Sequence, residues 1–154
     1  MMIKVASTQQ LGAFIKKVRK DANIRLVDAA MMSGVSHPVL SKIERGLEKG
    51  DADAFTSLFS LLPQMGIRTY LGKSGNDPIQ IKTKQDFAVE IIKQRKQQHL
   101  SQADAAGLIE ISTPTLSKIE SPAKKPDKKS DVRLKILFKV LRGFGLNLYL
   151  YMPE

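Results

Sequence analysis

The chain has 154 residues, 42% hydrophobic and 26% charged, with no cysteine and a net charge of +10. That length and balance fit one ordinary globular domain or two very small ones, and the missing cysteines exclude disulfide frameworks, thiolate metal sites and thiolate catalysis. A sequence pI near 9.9 is the electrostatic footprint of a polyanionic partner.

No apolar run approaches the roughly 20 residues of a membrane span, so no membrane partner is expected. Met1-Met-Ile-Lys-Val5 lacks the apolar region and small-residue cleavage site of a signal peptide, and a cytoplasmic location is the expectation. The residues before and after Gly75 each carry about +5, so the charge is shared along the chain rather than held in a basic tail. Shared charge suggests two similar binding surfaces.

The sequence repeats itself. A shift of about 76 positions lays Lys17-Val-Arg-Lys20 on Lys93-Gln-Arg-Lys96 and Asp28-Ala-Ala30 on Asp104-Ala-Ala106. It also lays Ser36-His-Pro-Val-Leu-Ser-Lys-Ile-Glu44 on Ser112-Thr-Pro-Thr-Leu-Ser-Lys-Ile-Glu120, with about 15 of 39 aligned residues identical. Beyond this block the shift becomes about 79, because the second copy holds a lysine-rich insertion. Gly66-Ile67 then meets Gly145-Leu146, and Tyr70-Leu71 meets Tyr149-Leu150. Two units of one design result, 1–73 and 79–154, joined by the turn-forming Lys73-Ser-Gly-Asn-Asp-Pro78.

In chain order, each unit predicts four helices and a strand. Ser7-Thr-Gln-Gln10 and Thr83-Lys-Gln-Asp86 are N-cap signatures for a first helix, followed by Leu11, Ile15 and Val18, or Phe87 and Ile91, at helical spacing. A short second helix starts near Arg25, or at Ser101-Gln-Ala-Asp104, and in the first unit ends at Gly34. The third starts at Ser36 or Ser112, with Pro38 or Pro114 in its first turn, where a missing N–H costs little. A fourth apolar helix runs from Phe55 to about Leu62, or from Leu134 to Leu141. The alternating runs Ile67–Leu71 and Leu146–Tyr151 close the units as strands.

Two short helices joined by a tight turn, the second headed by small polar residues, form a helix-turn-helix pattern. Ala29-Ala30 and Ala105-Ala106 are small where the two helices must cross. Leu40 with Ile43, and Leu116 with Ile119, give an apolar i, i+3 seam. That seam leaves Ser36, His37, Ser41 and Lys42, and likewise Ser112, Thr113, Ser117 and Lys118, on other faces. Polar side chains at a helix N-terminus suit base edges, and the positive end of the helix favours phosphate. Enzyme chemistry finds little support. His37 and His99 stand at unrelated positions, and no metal-ligand cluster, nucleophile motif or phosphate loop is evident, so no metal, cofactor or catalytic residue is expected.

The stretch from Ser101 to Glu120 closely resembles the Cro/λ-repressor-type (XRE) DNA-binding family, and the strand after the fourth helix resembles the HipB-type antitoxin branch. The resemblance implies a mostly α fold of two tandem λ-repressor-like bundles, each ending in a short β-strand, the two strands pairing as a single-chain pseudo-dimer. It implies that Gln102 contacts phosphate, and that Ser36-His37-Pro38 and Ser112-Thr113-Pro114 meet base edges with help from Ser41 and Ser117. Lys42 and Lys118 would touch phosphate or a base. Arg19 with Glu44, and Arg95 with Glu120, would be internal ion pairs rather than DNA contacts. Because His37 and Thr113 differ, the double-stranded DNA target would be an imperfect palindrome. An antitoxin-like repressor of its own operon is the implied function; the alternative is a scaffold that acts by binding a partner protein such as a HipA-like kinase toxin. Dimers of the tandem chain remain open.

Each copy departs from the pattern. Arg25-Leu26 replaces Ser101-Gln102 in the first, where Arg25 is the candidate substitute for the phosphate contact. Glu110 replaces Gly34 in the second, at a turn that favours positive φ. The insertion after the second recognition helix contains Lys124 and Lys125, either solvated surface or a grip on flanking phosphates.

Overall fold

The computed structural model describes residues 2–46, 54–122 and 132–153; Lys124 and Lys125 lie outside them. The first unit runs β1 (Met2–Val5), α1 (Thr8–Asp21), α2 (Leu26–Ser33), α3 (His37–Glu44), α4 (Ala54–Gln64) and β2 (Arg68–Gly72). The second repeats it as β3 (Ile79–Ile81), α5 (Lys84–Gln97), α6 (Gln102–Ile109), α7 (Thr113–Glu120), α8 (Leu134–Gly143) and β4 (Asn147–Tyr151). The fold is therefore mostly helical, with tandem helix-turn-helix bundles and one small antiparallel sheet.

The capping chemistry sets the helix starts. Ser7 Oγ accepts from the Gln10 N–H and Ser101 Oγ from the Asp104 N–H, while Thr83 and Asp86 form a reciprocal capping box. Each satisfies a backbone donor that the helix itself leaves unpaired. The fourth helices run somewhat further than their apolar pattern, to Gln64 and Gly143. Gly66 and Gly145, at φ +74° and +69°, then turn the chain into β2 and β4 in a conformation glycine enters without steric cost. Leu11, Ile15, Leu40 and Leu61 in the first unit, and Phe87, Ile91, Leu116 and Val140 in the second, are all but fully buried. Each contributes about 1.5–3 kcal/mol by leaving water.

The sheet joins the units, and its order is β1-β4-β2-β3. The central pair is antiparallel, with Tyr70 opposite Tyr149. The outer strands cross over: β1 of the first unit pairs with β4 of the second, and β3 of the second pairs with β2 of the first. These leading strands are absent from the sequence-based expectation, which placed only one strand at the end of each unit. They are three or four residues long, and β3 directly follows a segment read as linker. Their registers match across the repeat: Val5 lies opposite Leu148, and Ile81 opposite Thr69. Val5, Thr69, Leu71, Ile81, Leu148 and Leu150 face the helices and are buried.

Aromatic packing ties the units further. Phe55 and Phe59 of α4 meet Phe87 of α5 edge to face, with centroids 5.3 and 6.5 Å away, an arrangement that adds to the gain from burial alone. Lys84 Nζ donates to Thr56 Oγ1 at 3.0 Å across the same junction.

Candidate nucleic-acid interface

Each recognition helix is positioned by a short turn after its partner. In the first unit α2 ends on Gly34 in the left-handed conformation, φ 65° and ψ 21°. In the second, α6 ends on Glu110, which adopts the same conformation, φ 66° and ψ 44°. The turn geometry is thus kept although the glycine is not, at the steric cost an L-residue carries there. The fourth helix holds each turn by its carbonyls: Ser60 Oγ donates to the Ser33 carbonyl and Lys139 Nζ to the Glu110 carbonyl, each at 2.9 Å. Ser60 and Lys139 occupy matching places in the repeat.

The helix faces divide cleanly. Leu40 and Ile43 of α3, and Leu116 and Ile119 of α7, are buried against Ala29-Ala30 and Ala105-Ala106, themselves buried. Ser36, His37 and Pro38 are exposed, as are Ser112, Thr113, Pro114 and Lys118; Ser41, Lys42 and Ser117 are half-buried. Ser36 Oγ accepts from the Val39 N–H at 3.3 Å, and Ser112 Oγ from the Thr115 N–H at 3.2 Å. The two serines therefore cap their helices, and His37 and Thr113 are the first side chains free to project from the helix heads.

Behind each helix lies an ion pair, buried in the first unit and partly buried in the second. Arg19 grips Glu44 in two-pronged fashion, Nε to Oε2 at 2.6 Å and Nη2 to Oε1 at 2.8 Å, and its Nη1 donates to the Ile24 carbonyl. Arg95 does the same to Glu120, at 2.8 and 2.9 Å, and donates to the Leu100 carbonyl. The hydrogen bonds to the glutamates are the main cause that raises both arginine pKa values. Both guanidinium groups thus link the first helix, the following loop and the end of the recognition helix.

At the head of the second helix the units differ. Gln102 Nε2 donates to Glu120 Oε1 at 3.1 Å, so one of its two amide N–H groups joins the ion pair. Arg25 caps α2 without a side-chain bond to the backbone and donates from Nε to Asp28 Oδ2 at 2.9 Å. That hydrogen bond raises the Arg25 pKa, and the pair is exposed, where such contacts are weak.

The local sequence signalled the caps and the seam, and the family resemblance implied the ion pairs. It gave no sign that Lys139 supports the turn, because that contact joins residues 29 apart in sequence. Among the described residues there is no cluster of acidic or histidine side chains able to hold a metal, and no helix is long and apolar enough to cross a membrane.

Two helix-turn-helix bundles with capped, polar-headed third helices, arranged about one sheet, define the class. A helix-turn-helix family model of the XRE type matches residues 15–54 and 91–150, and the chain belongs to that family. Two proteins of Mycobacterium tuberculosis named as uncharacterized HTH-type transcriptional regulators, from strains CDC 1551 / Oshkosh and ATCC 25618 / H37Rv, are each 41% identical to this chain over 51 residues. The similarity covers 33% of this chain and 36% of each relative, so the chain spans about a third of the relatives' length. No solved structure matches the chain at a significant level.

Proposed function

We propose that this protein is a sequence-specific regulator that binds duplex DNA with both recognition helices at once, acting in the cytoplasm as an antitoxin-like repressor of its own operon. The observation that carries the reading is the pair of exposed, polar-headed helices α3 and α7, at matching places in two units whose strands β2 and β4 pair in symmetric register. Family membership and the regulator names of the relatives support it. So does the net charge of +10, since phosphate neutralisation supplies most non-specific affinity.

Each residue has a part in this mechanism. His37 and Thr113 enter adjacent major grooves about 34 Å apart, flanked by Ser41 and Ser117. Pro38 and Pro114 fix the first turn against the backbone, and the capped N-termini present N–H groups to phosphate, with the hydroxyls of Ser36 and Ser112 beside them. Lys42 and Lys118 contact phosphate or a base. Gln102, through its second amide N–H, and Arg25 mark the backbone track in each half. Because His37 and Thr113 differ, the operator is an imperfect palindrome.

Selection of duplexes from a random pool tests the reading. Two half-sites about 10 bp apart are expected, and Thr113→Ala should relax preference in one half only, by about 1–3 kcal/mol. Unchanged affinity and base preference in Thr113→Ala would sink recognition by α7.

A second reading, capture of a partner protein such as a HipA-like kinase toxin, draws on one observation. Helix α2 exposes Val27, Met31 and Met32, at 41%, 77% and 49% of their surface, and clustered exposed apolar side chains suit a protein partner. The two readings are compatible in one molecule. Co-purification with the product of an adjoining kinase-like reading frame, lost in Met31→Lys, tests the second.

A further inference from the structure

The two halves of the sheet are equivalent in register but not in chemistry. Thr69 in β2 occupies the place of Leu148 in β4; each lies opposite the matching leading-strand residue, Ile81 or Val5. Thr69 is only 8% exposed, and its hydroxyl makes no hydrogen bond to a described residue. Its oxygen is not one of the fully buried polar atoms without a partner, which among the described residues are Ser33 Oγ and Gln94 Oε1; the other half carries a leucine, with no hydroxyl, at this place.

Thr69 lines a cleft of about 490 Å³ between the C-terminal end of α4 and the β2–β3 pair. Phe59, Pro63, Ile67 and Ile81 form its apolar walls, Arg68 and Lys82 supply positive charge, and no described acidic residue lines it, although Asp86 accepts from the Lys82 backbone N–H nearby. Arg68 already lies over the Tyr151 ring, 5.8 Å from its centroid, so Lys82, exposed at the end of β3, is the more available cation. The volume and the mix of apolar walls with few polar groups are those of a small-molecule site. The cleft has no counterpart chemistry in the second unit, where Arg142 stands at the place of Pro63 and Leu148 at that of Thr69.

We propose that this cleft binds a small amphipathic carboxylate, its apolar body between Phe59, Ile67 and Ile81, its charge near Lys82, and one oxygen accepting from the Thr69 hydroxyl. The site stands independently of DNA binding. It is nonetheless well placed, because α4 walls the cleft and also holds the recognition turn through Ser60 and the Ser33 carbonyl.

Amide and methyl NMR spectra of the full chain, titrated without DNA, test the site. The probes are indole-3-acetate and octanoate, each beside its neutral counterpart, indole-3-acetamide or 1-octanol. At least one carboxylate should shift Ile67, Thr69 and Ile81 saturably at low millimolar concentration, more tightly than its neutral counterpart. Thr69→Leu, which copies the other half and keeps the fold, should weaken binding by about tenfold or more, as loss of a hydrogen bond to a charged group predicts. Lys82→Gln should remove the preference for the carboxylate over the neutral probe. Absence of saturable shifts with both carboxylates, or equal affinity in Thr69→Leu, overturns the proposal.

Discussion

Tyr70 lies opposite Tyr149 at the centre of the β2–β4 pair, and the two are the same residue of the two repeats. The pseudo-two-fold axis of the molecule therefore passes between them. The crossed pairing of β1 with β4 and of β3 with β2 follows the same axis. A dimer of separate chains would have the same symmetry, but here a six-residue connection from Lys73 to Pro78 makes the pairing intramolecular.

The crossed strands make each unit incomplete alone. Residues 1–73 without their partner would lose both neighbours of β2 and leave Phe55 and Phe59 without Phe87. Either half, expressed separately, is expected to be unfolded or to associate, and mixing the halves should restore one heterodimeric species. Sedimentation with far-UV circular dichroism decides this; two stable folded monomers would contradict the exchanged sheet.

Arg19 and Glu44 are 10% and 5% exposed in their side chains. Arg19→Ala strands the glutamate and should cost about 3–5 kcal/mol, whereas Arg19→Met with Glu44→Leu should recover most of it. Urea unfolding measures both. If the arginine acts structurally, the double variant keeps its affinity for DNA; loss of affinity in a fully folded double variant assigns it a contact instead.

Much of this organisation was legible in the sequence, for local reasons. Caps, the proline after each recognition-helix cap and the seam of Leu40 with Ile43 depend on neighbours within one turn; the arginine–glutamate pairs, 25 residues apart, were implied by the family resemblance instead. The leading strands were harder to see. Ile79-Gln80-Ile81 is too short for alternation to stand out beside Pro78, although the repeat does lay Ile3-Lys4-Val5 upon it. Gln102 shows the other limit: the resemblance assigns it to phosphate, while folding brings Glu120, 18 residues away, within reach of its amide nitrogen. A contact set by tertiary structure leaves no trace in a local pattern.

Glu110 holds a left-handed turn that its counterpart makes with Gly34. Glu110→Gly should raise stability by about 1 kcal/mol, since Lys139 binds the backbone carbonyl and loses nothing. Gly34→Ala should lower it by a similar amount. Thermal unfolding reads both changes, and a destabilised Glu110→Gly would mean that its side chain supports the turn.

Gly12 marks a close approach of α1 to α3. A Cβ there would meet the Ile43 carbonyl oxygen and lie 2.8 Å from that of Glu44, whereas the second unit carries buried Ala88 at the matching place. Gly12→Ala should therefore destabilise by about 1–3 kcal/mol through overpacking. Ala88→Gly should cost about 1–2 kcal/mol, from helix propensity and the loss of a buried methyl. Chemical denaturation of the two variants tests the asymmetry, and a neutral Gly12→Ala would refute the close crossing.

The central claim is that one chain reads two adjacent half-sites. Hydroxyl-radical footprinting on a selected duplex tests it most directly. The expected pattern is two protected patches on one face of the helix, about 10 bp apart, one of which weakens in Thr113→Ala and the other in His37→Ala. A single patch, sensitive to only one of these substitutions, would contradict it.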